Sequence, residues 1–274
     1  MDTIDSRRAS FAKLHGSGCF VIPNPWDAGS ARYLQHLGFR ALATTSAGFQ
    51  FSRGKADTVQ GSKVDEVLTH IADIVNATDL PVNADFQNGY ADTPEDVAQK
   101  VGHCVATGVA GLSIEDATGE RDRPLYDLPL AVERIKAARV AIDAAGGNVL
   151  LTARAESYLV GHPAPLEDVL QRLAAYAEAG ADVLFAPGAR TREDLRDIVH
   201  CAAAKPVNAL VSSNAGMTVA DLAGLGVRRI SVGSALARTA WGAFIRAAKT
   251  LAEKGSFEGL DGAASFAELN EVFG

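Results

Sequence analysis

The sequence predicts an α/β protein, a single (β/α)8 TIM barrel with an extra C-terminal helical segment, on three observations. Eight short apolar or β-branched runs recur along 274 residues: "CFVIPN", "ALATTS", "PVNADF", "GLSIED", "VLLTAR", "DVLFAP", "PVNALV" and "RRISVG". Amphipathic stretches separate them, with apolar positions three and four residues apart. The signatures of the rival doubly wound sheet, GxGxxG after the first run or GxxxxGK[ST] anywhere, are missing from the chain.

Each element has its own signal. "DAGSARYLQHLG" follows the first run and reads as a helix that stops on glycine. After "PVNADF", Thr93-Pro94-Glu95 opens the helical stretch "TPEDVAQKVGHCVATG", with proline in the first turn. "LPLAVERIKAARVAIDAAG" follows the fourth run; His162-Pro163-Ala164-Pro165 then introduces "PLEDVLQRLAAYAEAG" after the fifth. The eighth run leads into one long helix, "SALARTAWGAFIRAAKTLAEKG". The barrel thus covers about residues 17–250 and a helical tail about 251–274. In that tail Phe266, Leu269, Val272 and Phe273 have helical spacing and should dock, on this subunit or a neighbour.

Composition narrows the function classes. With 47% hydrophobic and 22% charged residues the chain can bury a large core. A net charge of −7 argues against nucleic acid or an anionic membrane as partner. Cys19, Cys104 and Cys201 are scattered without CxxC spacing, which suits a reduced compartment. With no signal-peptide core and no apolar run of roughly 18–20 residues, the expectation is a soluble, cytoplasmic protein.

A barrel gathers its functional groups at the carboxyl ends of its strands. Those ends read Asn24, Ser46, Asp85, Glu115-Asp116, Arg154, Pro187, Asn208 and Gly233. Asp85 and Glu115 close neighbouring strands, Asp57 lies in the loop after "ALATTS", and the Gln87 amide is near by. Such acids would repel one another without a cation among them, and hard oxygen donors with few histidines favour Mg²⁺ or Mn²⁺ over zinc. The alternative is that Asp85 and Glu115 merely cap the following segments. Arg154 is either the partner of these acids or a bidentate clamp for a substrate carboxylate. The backbone N–H groups of Ser46, Ala47 and Gly48 suit an anion-binding nest. His15, His36, His70, His103 and His200 fall in or beside helices and read as outer-layer residues. None of the eight strand ends carries the lysine a Schiff base needs.

Taken together, "NPWDAGSARYLQHLGFRALATTSAGFQFSRGKAD", Asp85 with Gly89-Tyr90, "AGLSIED", "LLTARAES", "ADVLFAPG", "PVNAL" and "GVRRISVGSALAR" resemble the isocitrate lyase/phosphoenolpyruvate mutase superfamily, from about residue 6 to residue 250. The resemblance implies an α/β barrel whose last helix is exchanged between subunits of a homodimer or homotetramer. It also implies Mg²⁺-dependent chemistry on small 2-oxo or 2-hydroxy carboxylates through a pyruvate-type enolate. Asp85 would be the direct metal ligand, with Asp57, Glu115 and the Gln87 amide holding metal-bound waters. Ser46 and the amides of Ala47 and Gly48 would take the substrate carboxylate, Arg154 its oxo-acid end, and Asn208 would face the substrate. Asp57, Arg154 and Glu115 are then the catalytic candidates.

Departures from the resemblance narrow the activity. Gln87 stands where most members carry an acid, and Ala155 replaces the usual threonine. The segment "DATGERDRPLYD" contains neither the Lys-x-Cys-Gly-His loop of isocitrate and methylisocitrate lyases nor the mutase Lys-Thr-Asn. A carbon–carbon lyase is therefore expected, either oxaloacetate decarboxylase-like or of the malate/citrate type. Decarboxylation asks least of such a site, because CO₂ leaves without a proton. The alternatives are phosphorus–carbon chemistry on a phosphonopyruvate-like acid, and a barrel that binds oxo-acids without turnover. The segment 117–127 is a candidate lid.

Overall fold

A computed structural model describes residues 3–214 and 216–274. All eight expected strands are present: β1 Phe20–Ile22, β2 Leu42–Ala43, β3 Val82–Asp85, β4 Gly111–Glu115, β5 Leu150–Arg154, β6 Val183–Phe185, β7 Val207–Leu210 and β8 Arg229–Ser231. They are parallel, in the order β1-β8-β7-β6-β5-β4-β3-β2, and a backbone hydrogen bond of 3.0 Å from Ala43 to Pro23 links the two edges. The result is a nearly closed (β/α)8 barrel.

Among the described residues eleven α-helices accompany the strands: α1 Ile4–Gly16, α2 Ala28–His36, α3 Ser46–Ser52, α4 Val64–Ala77, α5 Pro94–Ala106, α6 Leu128–Ala144, α7 Pro165–Glu178, α8 Arg192–Cys201, α9 Val219–Gly224, α10 Ala235–Lys254 and α11 Phe266–Phe273. Their starts follow the local chemistry. Thr93, with Pro94 behind it, caps α5 by accepting from the Asp96 amide, and Thr191 does the same for α8 through Asp194. Between α7 and β6 the chain turns at Gly180, whose φ of 102° is open only to glycine.

Strand residues alternate between two environments, as a period of two requires. Ala84, Leu112, Ile114, Leu151, Ala153, Leu184, Ala209 and Ile230 point outward into the main core beneath the helices. Their neighbours point into the lumen. At its lower end Phe11 of α1 joins Phe20, Ile22, Ala41, Ala43 and Ala110 in a second apolar cluster, so α1 closes the barrel floor. Higher up, the lumen-facing residues are small or polar, and that leaves room for a cavity.

The C-terminal region packs differently. Of the twenty residues of α10 only Ala237 is buried, whereas Trp241, Phe244, Ile245 and Leu251 are exposed. A 3-10 turn at Glu258–Leu260 folds back on α10, and α11 docks on α2 of the same chain, where Tyr33 donates to Glu268. Leu269 and Val272 are half-buried there, while Phe266 remains 87% exposed.

Candidate active site

The carboxyl ends of the strands open on a cavity of about 280 Å³. Ser46, Ala47, Asp57, Asp85 and Arg154 line its upper part; Asn83, Ser113, Asn208, Arg229 and Ser231 line the lower. Leu159, Ser212, Ser234 and Arg238 edge the opening.

Arg154 organises the acids. From the end of β5 its guanidinium reaches Asp85 Oδ1 (2.7 Å), Glu115 Oε2 (3.0 Å) and Glu156 Oε1 (2.8 Å), with its central carbon 5.3 Å from the centre of the Phe185 ring. Arg154 is thus the ion-pair partner of these acids. One cation serves three carboxylates, and two of them, Glu115 and Glu156, are shifted upward, by burial first. Burial, opposed by Arg154 and reinforced by Glu156, Asp85 and Asp116, holds Glu115 well above the usual carboxylate range. Burial likewise pushes Glu156 up to about 7 despite Arg154.

A buried network fixes this cluster from behind. Asp116 accepts from the Glu156 amide (2.9 Å), from Tyr176 (2.6 Å) and from Arg172 (3.2 Å). Arg172 also donates to the Tyr126 carbonyl (3.0 Å), which ties the end of segment 117–127 to the same network. Tyr126 donates in turn to Asp92 and accepts from Asn88 (3.1 Å), anchoring the loop after β3.

Asp85 is held on both oxygens: Oδ1 by Arg154 and Oδ2 by the Ser46 amide at 2.9 Å. Of the amides expected to form an anion nest, Ser46's is therefore turned to Asp85, and Gly48's donates to Thr45 at 3.2 Å. These residues form the first turn of α3, a seven-residue helix where the sequence suggested only a tight turn.

Asp57 sits at the mouth, solvent-accessible, on a loop pinned from below by Gln50. The Gln50 side chain is buried, donates to the Thr58 carbonyl (2.8 Å) and accepts from the Thr58 amide (3.2 Å). Desolvation first and the Asp85 charge second raise the Asp57 carboxyl above its ordinary range, against the pull of Arg154.

Glu115 and Gln87 lie behind the cavity wall and do not line it. Gln87 follows Asp85 at φ 42°, and Tyr90 has φ 54°, so two non-glycine residues occupy left-handed backbone at a cost on the order of 1–2 kcal/mol each. Gln87 Oε1 is buried without a hydrogen-bond partner. Such an acceptor is suited to a water or another donor brought by a ligand.

The donors suit a hard divalent cation in kind. Asp57 and Asp85 present carboxylate oxygen to the cavity, and among the described residues no thiol or imidazole lines it. Among the described residues no group of three or more His, Cys, Asp and Glu side chains converges as a ready-made cage. Mg²⁺ needs none: it is commonly held by one or two carboxylates, its other positions taken by water and substrate oxygen.

Strand-end reasoning found Asp85, Arg154 and Asn208 but passed over Asn83, Ser113, Thr152, Arg229 and Ser231. The signal was there: stepping back two residues from Asp85, Glu115 and Arg154 gives Asn83, Ser113 and Thr152, on the same face. His15 also differs from expectation. It is buried under the barrel, 3.4 Å from Arg229, because α1 closes the floor instead of joining the outer layer.

Comparison with known proteins bears on this site. The family model for phosphoenolpyruvate phosphomutase matches residues 11–252. A Burkholderia cenocepacia J2315 structure, provisionally described as a lyase/mutase, superposes with a TM-score of 0.94 at 44% identity, covering 98% of this chain and 96% of that one. The structure of 2,3-dimethylmalate lyase, a member of the PEP mutase/isocitrate lyase superfamily, gives a TM-score of 0.85 at 28% identity over 100% and 95% of the two chains. Oxaloacetate decarboxylase of Rhodopseudomonas palustris (strain BisB5) is 31% identical over 274 residues, 97% of this chain and 91% of its own.

Proposed function

The chain belongs to the phosphoenolpyruvate phosphomutase family of the isocitrate lyase/PEP mutase superfamily, and from that premise we propose that it is a Mg²⁺-dependent lyase. Its substrate would be a small 2-oxo or 2-hydroxy carboxylate in which a carbon–carbon bond is broken beside the oxygen-bearing carbon. The observation that carries this reading is the pairing of Asp85 and Asp57 at the cavity mouth with Arg154 behind them. Relatives named for cleaving or decarboxylating oxo- and hydroxy-acids support it.

Asp85 and Asp57 would hold the cation, which supplies Lewis-acid stabilisation of negative charge on oxygen. The chain's own residues do the rest. Arg154 holds Asp85 Oδ1 at 2.7 Å and so aims the carboxylate. The Asp85 amide donates to the Thr44 hydroxyl oxygen (2.9 Å), which fixes the backbone there, and the Ser46 amide donates to Asp85 Oδ2 (2.9 Å), which fixes the carboxylate. With the Ser46 and Gly48 amides engaged by Asp85 and Thr45, the Ala47 amide in the first turn of α3 is the one that would meet a substrate carboxylate. Asn208 lines the cavity with its carbonyl oxygen engaged by Arg229 (2.8 Å) and its amide N–H donating to the Ser231 hydroxyl (2.9 Å). Among the described residues no cysteine or histidine lines the cavity. This composition suits the loss of CO₂, which requires no proton donor at the leaving fragment. We propose too that the chain acts as a homodimer or homotetramer, because the exposed apolar residues of α10 offer a surface of the kind that partners cover.

The test is a substrate panel: pyruvate release from oxaloacetate, 2-methylisocitrate and dimethylmalate, with phosphate release from phosphonopyruvate measured alongside. Metal-dependent pyruvate release is expected. Phosphate release alone would move the assignment to phosphorus–carbon chemistry, and oxalate binding without any turnover would leave a binding protein.

A further inference from the structure

The amino-terminal face of the barrel carries a second cavity, of about 400 Å³, at the opposite end from the candidate active site. The end of α1, the starts of β5 and β6, and the loops leading into β7 and β8 enclose it. His15, Asp182, Lys205 and Arg228 supply its polar side chains. Catalytic groups of such a barrel gather at the carboxyl ends of the strands, so charge collected at the amino ends has no part in the chemistry of the mouth.

The charges there do not balance. Asp182, the one acid among the described lining residues, is already matched: its Oδ2 accepts from Arg139 (3.0 Å) and from the Leu151 amide (2.8 Å). Arg228 donates to the Gly18 carbonyl, a neutral group. Lys205 and Arg228 are both half-buried, and among the described residues neither forms an ion pair. Beyond His15 lies a third cation, Arg229, only 3% exposed. Its partners are Asn208 Oδ1 (2.8 Å), Thr152 Oγ1 (3.1 Å) and the His15 ring (3.4 Å), all neutral. His15 adds no charge, since burial first, then Arg229 and Arg228, pull its pKa down to about 3. Three cations thus stand without a carboxylate in a chain whose net charge is −7. Buried and half-buried charges are as a rule paired, and a concave site lined by one sign of charge concentrates the opposite ion. The loop that brings Lys205 to the cavity also takes left-handed backbone at Ala203 (φ 52°), a conformation that a non-glycine residue holds only at a cost.

We propose that this cavity is a second ligand site, separate from the catalytic one, in which Lys205 and Arg228 bind a phosphate group, free or carried by a small metabolite. A phosphate concentrates a double charge on one centre and has oxygens enough to accept from both side chains. The planar guanidinium of Arg228 matches such an oxyanion, and Lys205 serves it as a point charge. The volume suits a ligand of a few carbons. Across the His15 wall the same negative charge offsets Arg229. The site does not depend on the oxo-acid reading of the mouth.

The experiment is isothermal titration of the full chain with Mg²⁺ at about 0.15 M KCl, near physiological ionic strength. Inorganic phosphate, glycerol 3-phosphate and succinate are the titrants, each with and without oxalate. Wild-type protein should bind one phosphate compound at one site per chain, equally with oxalate present. Glycerol 3-phosphate as the tighter ligand identifies an ester; inorganic phosphate as the tighter one identifies the free ion. Lys205→Gln and Arg228→Gln should each weaken binding at least about 10-fold, the effect of one charged hydrogen bond. Lys205 has no side-chain partner to lose among the described residues, so Lys205→Gln should fold and melt as wild type does without phosphate. Arg238→Gln, at the edge of the catalytic cavity, should leave phosphate affinity unmoved. Failure of both phosphate compounds to bind wild-type protein, a result that needs no variant to fold, would overturn the proposal. Binding that oxalate displaces, or that Arg238→Gln removes, places the anion in the mouth and overturns it too. So does binding that survives Lys205→Gln and Arg228→Gln, or a preference for succinate.

Discussion

Arg154 shows how one side chain can hold a site that would otherwise repel itself. Of its three acidic partners Glu115 and Glu156 are buried and Asp85 is half-buried, and removing the cation leaves them uncompensated. Arg154→Ala is expected to cost on the order of 3–5 kcal/mol at pH 8. The loss should shrink at pH 5, where Glu115 and Glu156 can take up protons instead. Urea unfolding at the two pH values checks this, and equal losses would contradict it. The acids at strand ends were legible because a carboxylate closing an apolar run stands out. Arg154's choice of partners was not, since pairing depends on which neighbouring strands share a register. Acid sensitivity should come from the buried histidines. Burial, chiefly, depresses His15 to about 3 and His70 to about 4, so between pH 6.5 and 4 the unfolded chain binds more protons than the native one. Their contribution is complete above pH 6.5 and is lost as pH falls, at up to about 1.4 kcal/mol per pH unit for each histidine. His15→Gln should flatten that slope in denaturation curves collected across this range.

At the scale of elements, the barrel and its helices were readable because strand runs, caps and glycine stops each have a local cause. The short helix α3 was not, because Ser46-Ala47-Gly48 has the composition of a turn; only the Thr45 cap and tertiary packing reveal a helix. The loop it leads into depends on Gln50. A Cβ on Gly61 would come within 2.0 Å of Gln50 Oε1, so glycine there leaves room for the amide that grips Thr58. Gln50→Ala should loosen residues 53–63, which carry Asp57, while the barrel stays folded. Faster amide exchange in that loop is expected, with kcat/KM down about 10- to 100-fold, the effect of misplacing a group at the site. Unchanged exchange would show that the loop is held by other contacts. The lumen floor was missed for a related reason. In strands buried on both faces, Asn83, Thr152 and Ser231 interrupt no visible pattern until the inward face is known.

At the scale of the whole molecule, α10 is the unfinished part. Trp241, Phe244 and Ile245 lie exposed along it, and Arg238 of the same helix edges the cavity while donating to the Ser212 carbonyl at 2.7 Å. Trp241→Glu combined with Phe244→Glu should turn a homodimer or homotetramer into monomer by sedimentation, with reduced turnover because α10 borders the cavity. A wild-type chain that sediments as monomer would remove the oligomer proposal. No helix among the described residues is long and apolar enough to cross a membrane.

The central claim is that Asp85 and Asp57 form a cation-dependent site for an oxo-acid. The most direct measurement is pyruvate release by wild-type protein and Asp85→Asn, each stripped with chelator and then titrated with Mg²⁺. The account predicts activity that vanishes with chelator and returns with Mg²⁺ in wild type, and stays at least about 100-fold lower in the variant at saturating metal. Pyruvate release that persists in chelator, or that Asp85→Asn leaves intact, would contradict it.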